Sequence, residues 1–274
     1  ENIGADANGL TQEQKDDLVT AAGTYPIFNP AISALPIPND LIFDSVAGDG
    51  SFIVGEPTPP NPVFTAINSL SGASTVAPID LAMSGLITEN SVFTNALNSN
   101  IFLVALEYAS GSPLQGLPIG EPPTASSNQP SFTHKVITLD GTHFLRILPT
   151  KPLAPNTRYV VIVTDEILDA AGDQIKQSPS YASITDENEV LLADSLLKVR
   201  SLVNGLWESV GLLTFNTPNP AFGGVSLNTA RQANSFPALT EANIAMSYSF
   251  TTSDDEKILS YVAEPATWIT DQLS

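Results

Sequence analysis

The sequence between Pro149 and Ser178, PTKPLAPNTRYVVIVTDEILDAAGDQIKQS, constrains the fold more than any other part of the chain. Its β-branched run from Tyr159 to Thr164 lies between two groups of turn-forming residues. The prolines and the asparagine of 152–156 favour a turn, since proline presets φ and asparagine can bond its own backbone. A second turn is predicted at residues 169–173. The segment therefore indicates one strand of a β-sandwich, entered and left through turns.

Further strand-like runs flank this segment at short intervals, as is typical of all-β sandwiches. Asp140-Gly141 is the dipeptide of a tight hairpin, and it separates two of the runs. In the last run, Ile244, Met246, Tyr248 and Phe250 alternate with smaller or polar residues, which predicts a half-buried strand. The runs are 74–86, 100–108, 135–139, 143–148 and 243–252.

Proline dominates the first quarter of the chain and again a central stretch. Between 25 and 55 it limits helix, so we expect extended pieces at 41–43 and 52–54 that pair as a hairpin. The run EPTPPNP at 56–62 predicts a rigid extended connector, followed by about two helical turns at 63–70. The Pro/Gly/Ser-rich segment 109–130 predicts a surface loop.

A helical period replaces the strand pattern after Thr185. Apolar residues recur with a 3.6-residue period from Asp186 to Val210, with polar residues between them. Thr185 or Asp186 can act as the N-cap, and Gly211 can end the helix. We therefore predict one long amphipathic helix, bent near Gly205.

Composition narrows the function classes. The chain has 274 residues, of which 42% are hydrophobic, enough for an ordered globular protein. Ten basic residues against 29 acidic ones give a net charge of −19, which repels nucleic acid and anionic lipid. No cysteine is present, so disulfides and thiol chemistry are excluded. No apolar run reaches the roughly 18 residues that a membrane-spanning helix needs. The first residue is Glu1, which favours a mature protein or a fragment.

Catalytic motifs are missing from the sequence. It contains no G-x-S-x-G elbow, Walker loop or dinucleotide-binding loop. His134 and His143 are the two histidines, and both lie on short strands beside the Asp140-Gly141 turn. We expect them to be packing or surface residues, and we expect no catalytic residue, cofactor or cofactor-binding residue. A Ser-His-Asp hydrolase that uses one of them with an unrecognised serine stays open as an alternative.

Acidic turns raise the question of calcium. Asp165, Asp169 and Asp173 are spaced by four residues, and 254–256 is a short acidic cluster. Neither matches the twelve-residue EF-hand loop. We therefore predict no metal site, and a tight turn at 169–173 instead.

Several segments resemble known bacterial families. The pattern PLAPNTRYVVIVTDEILDAAGD at 152–173 resembles the immunoglobulin-like (Ig-like) domains of bacterial surface proteins. Together with IPNDLIF at 37–43, DGSF at 49–52, NSLSGASTVAPI at 68–79 and SYSFTTSD at 247–254, it resembles the N-terminal domain of bacterial virulence-factor lipases. At 69–75 the chain has SLSGAST where that family tends to carry LDGFST.

The lipase resemblance implies a role without catalysis in this chain. Members are extracellular, often lipid-anchored enzymes in which an α/β-hydrolase domain with the nucleophile elbow follows the matched region. It therefore implies a secreted or cell-surface module, monomeric, whose partner is the catalytic domain of the same polypeptide and which enters no membrane itself. The alternative is an adhesion or glycan-binding module, with contacts from the 109–130 loop and from aromatics such as Tyr108 and Tyr181.

The fold expected from these patterns is mainly β, with an Ig-like sandwich at 74–252. A helical insertion at 185–240 interrupts it, a polar tether (1–24) and a proline-rich part (25–73) precede it, and a connector (253–274) follows. Twelve residues are expected in the core. They are Ile101, Leu103, Val136, Leu145, Ile147, Tyr159, Val161, Val163, Leu196, Leu206, Ile244 and Phe250.

Overall fold

The structure, a computed structural model, describes residues 23–43, 72–94, 97–109, 123–191, 193–253, 263–264 and 266. In these ranges the protein is mainly β, with antiparallel sheets and a set of helices inserted before the last strand. None of the described helices has the length and apolarity that crossing a bilayer requires. The predicted connector at 56–62, the predicted helix at 63–70 and most of the tether, the 109–130 loop and the C-terminal connector lie outside the described residues.

A three-stranded sheet forms one layer of the protein. Strands β1 (Ile79–Met83), β4 (Phe132–Leu139) and β5 (Thr142–Pro149) pair in the order β1-β5-β4. The β4–β5 hairpin turns at Asp140 and Gly141, with φ of 49° and 80°. Two consecutive positive φ values define the turn type that matches strand twist, so the predicted hairpin is confirmed.

A four-stranded sheet forms the second layer. It contains β2 (Ile101–Glu107), β3 (Thr124–Ala125), β6 (Arg158–Thr164) and β9 (Ile244–Thr251), in the order β3-β2-β6-β9. The residues before β1 add to the first sheet through isolated antiparallel bridges from Pro26 and Ile37. This division of strands is consistent with the predicted Ig-like sandwich, in which successive strands of the chain are divided between the two sheets in the same way.

One hydrophobic core joins both sheets and the helices. Of the twelve expected core residues, eleven are buried, and Val136 is partly buried against the same core. β6 and β9 are buried along their whole length. The prediction that the last strand is half-buried is therefore wrong, because β9 has the sandwich on one face and helices on the other.

The helical insertion is divided into several elements. They are α1 (Pro179–Thr185), α2 (Asp194–Leu202), a π-helical segment (Val203–Trp207), α3 (Glu208–Asn216) and α4 (Leu227–Ala233), with a short hairpin of β7 (Pro218–Asn219) and β8 (Val225–Ser226) before α4.

The prediction of one helix over 186–210 is wrong at both ends. At the N-terminal end, α1 ends at Thr185. The Asp186 side chain accepts a hydrogen bond from the Asn188 amide, and this local bond favours a turn over a continued helix. At the other end, the helix continues through Gly211 to Asn216. A π-helical segment lies where the bend near Gly205 was predicted, and the bend itself stays a prediction.

Gly211 is explained by close packing. A Cβ atom at this position would lie 3.1 Å from Ile244 Cδ1, with Ile162 of β6 nearby. The glycine lets α3 approach the sheet closely, which is a use of glycine that the sequence pattern does not distinguish from a helix stop.

The expected extended piece at 41–43 is also wrong, because Asp40–Phe43 forms a 3₁₀ turn. The Asn39 side chain accepts a hydrogen bond from the Leu41 amide at 2.9 Å, and this local bond favours a turn over a strand. The proposed partner piece at 52–54 lies outside the described residues. The division of the chain into the predicted domains stays a prediction, and the first α-helix of the described part begins at Pro179.

Candidate functional site

The end of β9 is held unusually firmly. The Thr252 amide donates to Thr157 O at 3.0 Å, and the Thr252 hydroxyl donates to Ala154 O at 2.7 Å. The hydroxyl oxygen also accepts from the Thr157 amide at 3.0 Å. Thr252 is 2% exposed. Terminal strand residues usually fray, so this many bonds to one residue fixes the point at which the chain leaves the sheet.

Two further backbone hydrogen bonds join the end of β9 to Ala73. The Ala73 amide donates to Thr251 O at 2.7 Å, and the Ser253 amide donates to Ala73 O at 2.9 Å. Gly72 makes this approach possible, because a Cβ atom there would lie 2.6 Å from Ser253 N. We call Gly72, Ala73, Thr157, Thr252 and Ser253 the exit clamp.

The helical insertion exposes large apolar side chains. Leu197 on α2 is 42% exposed, Leu213 on α3 is 53% exposed, and Val190 before α2 is 70% exposed. Val225 and Phe236 add to the exposed apolar groups of the same insertion. The described residues also expose six large apolar side chains outside the insertion, so these five define a candidate contact surface but not the only exposed apolar one.

Beneath this layer, a polar cluster joins helix to sheet. The Tyr181 hydroxyl of α1 donates to Glu208 Oε1 at 3.1 Å and accepts from the Ser247 amide of β9 at 3.1 Å. The Ser247 hydroxyl lies 2.7 Å from the same phenol oxygen. Tyr181 and Ser247 are fully buried, and Glu208 is 3% exposed. Tyr181 thereby covers part of the free edge of β9, which would otherwise leave an amide without a partner.

Burial shifts the acidity of this cluster. Burial, the largest cause, and the neighbouring Glu241 carboxylate together raise the pKa of the Glu208 carboxyl to about 7, while the Tyr181 hydrogen bond opposes the change. Burial also raises the pKa of the Tyr181 phenol well above its ordinary value, with the Glu208 charge acting in the same direction. The phenol therefore stays protonated, and the carboxyl is the group that titrates.

A buried ion pair lies at the other end of the same sheet face. Arg158 Nε lies 3.3 Å from Asp40 Oδ2, and the Ser249 hydroxyl donates to that oxygen at 2.6 Å. Arg158 also donates to the Tyr108 hydroxyl at 2.9 Å. Arg158 and Asp40 are 2% and 1% exposed, so the pair fixes the Asp40–Phe43 turn against β6.

The two histidines lie on the strands of the β4–β5 hairpin. His134 on β4 is opposite Ile147, and His143 on β5 is opposite Thr138. Both are partly buried, and His143 Nδ1 lies 2.9 Å from the Thr138 hydroxyl. Within the described ranges, neither histidine has a serine or a carboxylate as a hydrogen-bond partner.

The acidic turn is held by its own backbone. Asp169 Oδ1 accepts from the amides of Ala171 and Asp173, and Thr24 donates to Oδ2 at 3.2 Å. These bonds, first of all the one from Asp173, lower the pKa of the Asp169 carboxyl. The described part of the chain contains no group of three His, Asp or Glu side chains placed to hold a metal. The 254–256 cluster lies outside it.

A shallow cleft of about 330 Å³ lies beside the start of β9. Asp165, Lys176 and Gln177 contribute polar groups to it, and Ile175 and Ile244 contribute apolar ones. Burial raises the pKa of the Asp165 carboxyl, while the Asn243 side chain opposes this by donating to it at 3.3 Å. Gln177 is already bonded to Ile244 O, so the cleft presents few free polar groups.

Of the aromatics considered for glycan contact, Tyr181 cannot serve, because it is fully buried. Tyr108 is partly buried and is bonded to Arg158. Sequence reasoning missed Glu208, Ser247, Asp40 and Arg158. The one signal available in the sequence was the pair Ser247 and Ser249, which alternate with apolar residues on β9 and mark a face that has polar partners.

The fold and its sites define a mainly β module with a helical layer and a firmly held exit strand. Residues 61–217, more than half of the chain, match the family described as bacterial virulence factor lipase N-terminal. The chain belongs to this family, which suggests a module of a larger bacterial lipase and an extracellular location. A comparison with curated proteins found no match.

Proposed function

We propose that this chain is the non-catalytic N-terminal module of a secreted or surface-anchored bacterial lipase or esterase. It spaces an α/β-hydrolase domain of the same polypeptide and offers that domain a docking surface. The exit clamp is the single observation that carries the proposal. Family membership supports the choice of a hydrolase domain of the same polypeptide as the partner.

The spacing role follows from the geometry of the exit clamp. A chain that continues beyond Ser253 leaves from a buried residue that is 3% exposed, between Ala73 and Asn156. Its starting point is therefore set by the sandwich. A flexible tether would need no such bonds, because a Gly/Ser-rich or polar segment spaces domains without them.

Docking is assigned to the exposed apolar groups of the helical insertion. Leu197 and Leu213 lie on the same continuous helical stretch, and neither contributes to the core. Interfaces between domains of one chain bury surfaces of this mixed apolar and polar kind. The occupant we assign is the hydrolase domain of the same polypeptide.

The exit clamp can be tested in the full lipase polypeptide. Thr252→Val removes the hydroxyl that makes two of the bonds, and Thr252→Ser keeps it. Since this module has no cysteine, single cysteines introduced at exposed Thr142 and on the hydrolase domain can carry a pair of spectroscopic labels. We expect a broader distance distribution in Thr252→Val and an unchanged one in Thr252→Ser. Equal distributions in both variants would contradict the spacing role.

Docking is tested by hydrogen exchange in the same full polypeptide and in residues 1–274 alone. We expect the helix around Leu213 to exchange more slowly when the hydrolase domain is present. Phe93, which is 39% exposed on the segment before β2, serves as a matched control and should not change. Identical exchange at Leu213 in both proteins would remove the docking assignment while leaving the spacing role intact.

The non-catalytic assignment has its own test. Residues 1–274 should not hydrolyse short-chain esters above background, whereas the full polypeptide should. Turnover by 1–274 that disappears in His134→Ala or His143→Ala would overturn it.

A further inference from the structure

Three elements meet at the Tyr181 hydroxyl. α1 supplies the phenol, α3 supplies Glu208 and β9 supplies Ser247. The phenol has one hydrogen to donate, and it donates it in the hydrogen bond to Glu208. The phenol oxygen accepts a hydrogen bond from Ser247. Each of these side chains is almost fully buried, so no solvent replaces a bond that is lost.

We propose that Glu208 is a proton-dependent latch that holds the helical insertion against β9. When the carboxyl is protonated, a neutral group occupies the buried position and the three elements stay together. When it loses the proton, a charge is left in the interior beside another carboxylate, and the helix that carries Glu208 loosens from the sheet.

The surroundings of Glu208 favour the neutral form. The titratable groups that act on it are Tyr181 from α1 and Glu241 from the 3₁₀ turn Glu241–Asn243 before β9. Among the described residues, no lysine or arginine is among the groups that act on it. A buried carboxylate without a cation is costly, and a second carboxylate nearby adds to that cost. The pKa of about 7 agrees with this arrangement.

The π-helical segment provides the part that can yield. Val203–Trp207 ends directly before Glu208, and its wider turn departs from the regular α-helical bonding. Two buried polar atoms in it, Asn204 Oδ1 and Trp207 Nε1, have no hydrogen-bond partner within the described structure. Unsatisfied buried groups lower the free energy of local opening, so this segment is the expected place for the helix to open.

The latch predicts a local rather than a global response to pH. The relevant observable is hydrogen exchange of residues 203–216, corrected for the intrinsic pH dependence of exchange. For a carboxyl whose pKa falls from about 7 to about 4.5 on opening, the opening equilibrium rises about 70-fold between about pH 5 and about pH 8. Exchange in the β4–β5 hairpin should not follow this change, because it has no contact with the cluster.

Glu208→Gln is the direct test in the whole chain. The amide is neutral at every pH and has the same shape, so the pH-dependent part of the exchange at 203–216 should disappear. Glu241→Gln keeps the latch but removes the second carboxylate, and since Glu241 is exposed the variant should fold. We expect it to move the transition to lower pH.

Two results would overturn the proposal. One is an unchanged pH dependence of exchange at 203–216 in Glu208→Gln. The other does not require Glu208→Gln to fold. It is the absence of a pH transition in the exchange of 203–216 in the wild-type chain, or a transition that does not move to lower pH in Glu241→Gln.

Discussion

The Ala154 amide donates a hydrogen bond to the Tyr159 hydroxyl at 2.9 Å, which joins the turn before β6 to the strand that it enters. The ring of Tyr159 also stacks on Phe250 of β9, with centroids 5.5 Å apart. A tyrosine near the start of this strand that bonds a backbone group a few residues upstream is a feature of Ig-like sandwiches. The Tyr159 side chain therefore binds the turn through its hydroxyl and packs in the core through its ring.

Tyr159→Phe should therefore destabilise the protein by about 1–2 kcal/mol, because it leaves the Ala154 amide without its partner while keeping the ring in place. Urea unfolding measures the free energy, and the m-value should not change. Tyr248→Phe is the matched control, because the buried Tyr248 hydroxyl has no hydrogen-bond partner among the described residues. A loss in the control as large as that in Tyr159→Phe would show that the hydrogen bond is not the cause.

The Arg158–Asp40 pair gives a second prediction. Removing one member leaves the other charged and buried, so Asp40→Leu or Arg158→Met alone should cost about 3–5 kcal/mol of unfolding free energy. The double variant should recover a large part of this loss, since neither charge is then left unpaired. A double-mutant cycle of unfolding free energies measures the coupling. Additive losses in the cycle would mean that the two side chains do not act as a pair.

Much of the β structure could be predicted from the sequence, because its signals are local. Asp140-Gly141 specifies its turn through two residues that tolerate positive φ, and the Tyr159–Thr164 run specifies a buried strand through its β-branched side chains. Both signals lie within one turn or one strand. They did not specify the register of β6 against β9, in which Tyr159 lies opposite Phe250.

The parts that could not be predicted depend on distant contacts. Ser247 and Ser249 look like the solvent face of a strand, yet their partners Tyr181 and Asp40 are 66 and 209 residues away in sequence. Gly211 looks like a helix stop, but its purpose is contact with Ile244. For the same reason, no motif predicted the candidate site, because the exit clamp joins residues before β1 to residues after β9.

A third prediction concerns acid stability. The lowered pKa of Asp169 means that its charged form is favoured in the folded state, so its contribution is present above the pKa of the unfolded chain. It is lost as the pH falls through the lower, folded-state pKa. Asp169→Asn should lower the melting temperature at neutral pH, and the difference from wild type should shrink in acid. Asp173→Asn, exposed on the same turn, is the control. A difference that stays constant with pH would rule out the charge as the source.

The last prediction separates backbone strain from close packing at two glycines. Gly72 and Gly172 both have positive φ, 125° and 89°, so alanine is strained at either position. They differ in space: a Cβ at Gly172 meets nothing within 4 Å, whereas one at Gly72 would lie 2.6 Å from Ser253 N. Gly172→Ala should therefore cost about 1–2 kcal/mol of unfolding free energy, from strain alone. Gly72→Ala should cost more, and hydrogen exchange of the Ser253 amide should rise in this variant only, because the strand end must move away from Ala73 to admit the methyl group. Equal losses in the two variants, with Ser253 exchange unchanged, would mean that the exit clamp does not depend on the close approach at Gly72.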